Sequence, residues 1–104
     1  MEKEALIRNT IWGVLVSRPP ALRAVAVPKY LREIVIVKQD EHRMTVFLAL
    51  WGFHYKNRGS RPKAPPIIDV SAIAAIFDSA FQDVYIVSAR STGTHIVLEL
   101  EEKP

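Results

Sequence analysis

Three histidines, His42, His54 and His95, are the first side chains to weigh for chemistry, because imidazole titrates near neutral pH and ligates metals. Their spacing offers no close pair of the kind that nucleates a zinc site, so a surface or edge position fits each better than a ligand or a general base. The carboxylates organise no better. Asp40 and Glu41 fall in a polar turn, and Asp69, Asp78 and Asp83 flank a helical stretch. Glu99 and Glu101 are two apart on an expected strand and so share one face. An acid pair acts in acid–base catalysis only inside a pocket that shifts a pKa, and a solvated strand face explains this pair far better. No serine sits in a Gly-x-Ser-x-Gly elbow, and neither a phosphate loop nor a dinucleotide fingerprint is present. No cofactor is expected, and the chain does not read as an enzyme.

The densest local feature is cationic. Trp51, Phe53, His54 and Tyr55 run directly into Lys56, Arg58, Arg61 and Lys63, with no acidic residue between 56 and 66. Three prolines and a glycine in that stretch exclude a regular helix or strand. Aromatics beside cations suit single-stranded nucleic acid, where rings stack on bases and cations meet phosphates. They also suit a protein contact, because Trp, Tyr and Arg dominate interface hot spots. A third reading makes Trp51 and Phe53 core residues and the loop merely solvated. The expected partner-binding residues are Trp51, Tyr55, Lys56, Arg58, Arg61 and Lys63, together with the acidic Glu99, Glu101 and Glu102 near the C-terminus.

These residues need a scaffold. The 104 residues carry a net charge of +3, with 49% hydrophobic and 24% charged side chains, which suits a single globular domain over residues 1–104. Without cysteine there is no disulfide framework, thiolate nucleophile or thiolate metal site. The apolar run at residues 46–53 is far short of the roughly 20 residues of a membrane-spanning helix, and the charged start at Glu2, Lys3 and Glu4 is unlike a signal peptide. The chain is therefore expected to be cytoplasmic and to have no membrane partner.

Ile7, Ile11, Val14 and Leu15 recur at helical spacing and predict a first helix over residues 2–16, stopped by Pro19 and Pro20. Residues 22–27 and 31–38 read as strands. The second is apolar at both parities, as in a strand covered on both faces or central in a sheet. A turn at 39–42 leads to a long strand over 43–55, making an antiparallel hairpin. Asp69 or Ser71 caps a second helix that ends near Phe81 and buries Val70, Ile73, Phe77 and Phe81. A strand over 83–89 places Val84, Ile86 and Ser88 on one face. It turns at Ser91-Thr92-Gly93 into a last strand over 94–101, with a fraying acidic tail over 99–104. The expected fold is α+β, an antiparallel sheet of about five strands with two helices on one face, in the order α-β-β-β-α-β-β. Long apolar strands leave an edge through which a homodimer can form.

Ile7-Arg8-Asn9 and then Pro19-Pro20-Ala21-Leu22-Arg23-Ala24-Val25-Ala26-Val27 resemble the start of small bacterial toxin-immunity proteins of the contact-dependent growth inhibition type. The residue match covers about the first quarter of the chain, and the order of elements is similar over most of it. That family's pattern is acidic after the hairpin, where this chain is basic over 56–63. The resemblance implies a non-enzymatic immunity protein that binds a cognate toxin domain and occludes its active site. The residues themselves leave a small nucleic-acid-binding protein, using the basic loop 56–63, as the alternative.

Overall fold

The computed structural model describes residues 3–51 and 68–104. Helix α1 (Lys3–Ser17) buries Ile7, Ile11 and Leu15, one stripe at four-residue spacing, with Val14 packed beside it. It ends at Arg18, whose backbone adopts the left-handed conformation at φ 51° and whose N–H donates to the Leu15 carbonyl. Pro19 and Pro20 then forbid continuation.

The chain next makes a short 3-10 turn, Pro20–Leu22, where a strand over 22–27 was expected. Leu22 and Val25 both reach the core three residues apart, which is the period of a turn and not of a strand. Of that segment only Val25 forms a β-bridge, to Leu50. A second 3-10 turn, Leu31–Glu33, replaces the first half of the next expected strand. The Glu33 carboxylate accepts from the Tyr30 N–H and the Glu33 N–H donates to the Tyr30 carbonyl, a local closure that competes with extension.

Among the described residues the sheet has four strands rather than five, and the element order is α-β-β-α-β-β. Strand β1 (Val35–Lys38) pairs antiparallel with β2 (Arg43–Ala49) through a turn in which Asp40 Oδ1 accepts from the N–H groups of His42 and Arg43. Strand β2 ends at Ala49, short of the expected Tyr55. There Ala26 N–H donates to the Ala49 carbonyl and Trp51 N–H to the Ala24 carbonyl, so residues 24–26 take over the flank that β1 occupies earlier. Helix α2 (Val70–Ala80) is capped by Asp69, not Ser71. The Asp69 side chain accepts from Ala72 N–H at 3.0 Å. Strand β3 (Val84–Ser91) then forms the expected hairpin with β4 (His95–Glu102). The spatial order is β1-β2-β4-β3, with every pair antiparallel.

Both helices cover one face of this sheet. Ile7, Ile11, Leu15, Ile73, Phe77 and Phe81 pack on Met44, Val46, Leu48, Ile96, Leu98 and Leu100, the alternate residues of the two central strands. Strand β1 is an edge, not a central strand: Ile36 turns to the core while Val35 and Val37 are exposed on the second face. Between Ile86 and Ser88 the β3–β4 register slips by one at Val87. This bulge moves Ser88 off the face of Val84 and Ile86, where alternation had placed it, and turns Ala89 toward the core in its stead. Among the described residues no helix is long and apolar enough to cross a membrane.

Candidate functional site

Glu99 and Glu101 project from the second face of β4, as their spacing requires. Each meets an arginine on the neighbouring strand. Glu99 Oε2 accepts from Ser88 Oγ at 2.6 Å and lies 3.3 Å from Arg90, and Glu101 lies 3.6 Å from Arg43. A shallow depression of about 500 Å³, lined by Gln39, Asp40, Arg43, Thr45, Val87, Ser88 and Glu99, occupies this part of the face. Its charges alternate in sign and are matched within the sheet, so it presents neither an acid–base dyad nor an acidic patch.

Glu102 departs from its two neighbours. It projects from the helix-covered face, where Lys3 Nζ of α1 donates to Oε1 and the His42 imidazole pairs with Oε2 at 2.9 Å. The hydrogen bond from Lys3, then that from His42, holds the Glu102 carboxyl below its usual pKa. The same contact with Glu102 raises the pKa of His42. Residues 99–102 are thus anchored strand rather than fraying tail. Glu102 serves here to tie the N-terminal helix to the last strand.

The histidines do not converge. His42 lies in the β1–β2 turn, whereas His95 stands at the opposite end of β4, edge-on to Phe47 at 6.5 Å and with Nδ1 2.9 Å from Thr94 Oγ1. His54 lies outside the described residues. Among the described residues no three histidine or carboxylate side chains gather as a metal site would require. A groove of about 220 Å³ runs between α1 and the α2–β3 turn, over Ile7, Phe81 and Val84. It falls below the roughly 300–1,000 Å³ of ordinary ligand pockets.

Of the expected aromatic and basic site, the described residues hold only Trp51, half-buried beyond the end of β2 with its N–H bonded to Ala24. Tyr55, Lys56, Arg58, Arg61 and Lys63 lie outside the described residues.

A second aromatic and basic surface lies elsewhere. Trp12 projects from α1, and its indole N–H donates to the Pro28 carbonyl at 3.3 Å. One turn earlier, the Arg8 guanidinium donates to the Ile34 carbonyl. These two bonds lay residues 28–34 along the outer side of α1. Tyr30 in that segment carries the Arg32 guanidinium 4.5 Å and the Lys29 ammonium 5.6 Å from its ring centroid. Trp12 keeps 36% and Tyr30 46% of its surface exposed, with Val16 and Leu31 exposed beside them. In the sequence Trp12 sits beside the α1 stripe, where it suits either the core or the edge of a contact surface, and nothing there singles out Tyr30. Residues 31–38 read as a strand, and the turn that turns Tyr30 outward depends on a Glu33 contact that no periodicity reveals. No family model, curated protein or solved structure matches the chain.

Proposed function

We propose that this protein acts by holding another protein: a cytoplasmic, non-catalytic immunity protein that binds a cognate toxin domain and neutralises it. The observation that carries the binding reading is the Trp12–Tyr30 surface. Two partly exposed aromatics stand here, Trp12 bonded to the Pro28 carbonyl and Tyr30 with two cations over its ring, with aliphatic Val16 and Leu31 also exposed. Rigid aromatics lose little entropy on binding, and Trp, Tyr and Arg are the residues that anchor protein interfaces. Lys29, Arg32 and Arg8 add a positive rim that selects acidic partners and speeds their approach. A nucleic-acid reading is less well served here, because Arg32 and Lys29 already sit over the ring on which a base would stack. The toxin as partner rests on the resemblance of residues 7–9 and 19–27.

The test is to look for a toxin domain encoded beside this gene and to co-express the two. Wild-type protein restores growth and binds the domain in calorimetry, and the W12A/Y30A variant, folded by circular dichroism, does neither. Undiminished rescue by that variant would move the contact off this surface. Absence of binding by the wild-type protein would remove the immunity reading.

A further inference from the structure

The two edges of the sheet are treated differently by the sequence. At β3 the edge is interrupted by the Val87 bulge, and the outward Ile86 N–H is occupied by Asp78 Oδ1 of α2 at 3.0 Å. Bulges and covering side chains are how proteins keep sheet edges from pairing. Along β1 itself neither device is present, and among the described residues the one covered group on this edge is the Ile34 carbonyl just before it, which accepts from Arg8. Gln39 N–H donates to the Arg43 carbonyl, so Val37 and Val35 are the residues bonded to β2, and the N–H and C=O of Ile36 and Lys38 point away from the sheet. Among the described residues nothing bonds these outward groups. Beside them Val35 and Val37 are 51% and 43% exposed on the second face. The strand thus offers backbone hydrogen bonds and an apolar pair at once.

We infer that β1 is the edge through which a second copy of this chain pairs, antiparallel, with Ile36 opposite Ile36. Only even-numbered residues have outward groups, which restricts the registers. In this one the two Ile36 residues exchange hydrogen bonds, and each Lys38 N–H reaches the other copy's Ile34 carbonyl, which it shares with the Nε and Nη2 donors of Arg8. Val35 of each copy then lies opposite Val37 of the other, in the closely spaced kind of pair. Lys38 of one copy comes beside Glu33 of the other, and the basic segment at Lys29 and Arg32 approaches the Asp40-Glu41 turn. The neighbouring allowed register, Ile36 opposite Lys38, instead sets Glu33 against Glu41 of the second copy. Charge complementarity therefore selects the first. A four-residue edge is much smaller than the roughly 800 Å² per partner of a stable interface, so the dimer is weak and concentration-dependent.

Because the chain lacks cysteine, cross-linking reads the register directly. Closely spaced pairs stand about 4.5 Å apart at Cα, within the roughly 4.4–6.8 Å span of a disulfide. A mixture of V35C and V37C proteins under mild oxidation is expected to give covalent dimer, whereas neither protein alone does. Cross-linking of V37C alone would overturn the register, and no cross-link in any mixture would overturn the pairing. Sedimentation of wild-type protein is expected to show the mean mass rising with concentration, and a monomer throughout would also overturn it. K38P removes an outward N–H and the lysine charge that meets Glu33 of the second copy, leaves the hydrogen bonds of the β1–β2 ladder in place and is expected to stay monomeric with unchanged circular dichroism. A dimer surviving in K38P would place the interface elsewhere.

Discussion

The imidazole Nδ1 of His42 and the carboxylate Oε2 of Glu102 stand 2.9 Å apart, joining the β1–β2 turn to the last residue of β4, while Lys3 of α1 holds the other carboxylate oxygen. Three elements distant in sequence therefore meet on one acidic side chain. Lys38, Glu41 and Glu4 line the same corner, and Glu41 and Asp40 add to the negative field that His42 feels. Because the folded pKa of His42 is raised, its contribution is fully present below the unfolded value of 6.5 and is lost as pH rises through the folded value. Glu102 has a lowered pKa, so its contribution is present above 4.5 and is lost as pH falls through the folded value. Both act at full strength between those two pH values. The stability difference between wild type and H42A, followed by thermal melts across pH, is expected to shrink above neutrality. The His42 pKa measured by NMR should fall in E102Q. An unchanged His42 titration in E102Q would show that the contact is absent in solution.

Glycine and arginine stand at exchanged positions near the end of α1. Gly13 occupies the helix body, where a Cβ would meet nothing within 4 Å, and Arg18 holds the left-handed conformation that glycine adopts without strain. G13A is expected to stabilise the fold by about 1 kcal/mol, the helix-propensity difference between the two residues. R18G is expected to add roughly 0.5–1 kcal/mol by relieving the positive φ. Urea unfolding measures both. A loss of stability in R18G would mean that the arginine side chain contributes more than its backbone costs.

How much of this was legible in the sequence follows from what periodicity encodes. The stripe of Ile7, Ile11 and Leu15, and that of Ile73 and Phe77, are single-element patterns, so both helices and the side each buries could be read directly. Both hairpins were legible for the same reason, since turn chemistry is local. Residues 22–27 and 31–33 misled because short apolar runs suit a strand and a tight turn alike, and the choice rests on contacts such as Glu33 to Tyr30. Val35 and Val37 misled differently. Apolar residues at both parities signal a covered strand, yet β1 lies at the edge, and nothing local distinguishes a buried strand from one that waits for a partner. The same gap hid the Trp12–Tyr30 surface, whose two rings belong to different elements.

The start of α2 depends on a single side chain. Asp69 accepts from Ala72 N–H, and its carboxylate stands at the positive end of the helix dipole. D69A is expected to lose about 1 kcal/mol, within the roughly 0.5–2 kcal/mol range of such caps, whereas D69N and D69S should retain most of the stability. Chemical denaturation of the three variants gives the comparison. Equal losses in all three would assign the effect to the charge and not to the cap.

Val87 is the extra residue that breaks the β3 ladder. Before it Ile86 faces Leu100, and after it Ser88 faces Glu99. Deleting Val87 would leave every other pair opposite its present partner and remove an exposed side chain, so the hairpin register and the core contacts of Val84, Ile86 and Ala89 should survive. What the deletion removes is the kink that spoils this edge for pairing. The expected outcome is a folded protein with a near-wild-type thermal midpoint that self-associates more strongly through β3. Size-exclusion chromatography at rising concentration, in a K38P background that disables the β1 edge, isolates that effect. A deletion variant that stays monomeric there would show that Asp78 alone protects the β3 edge. One that unfolds would show that the bulge is needed to fit the hairpin onto α2.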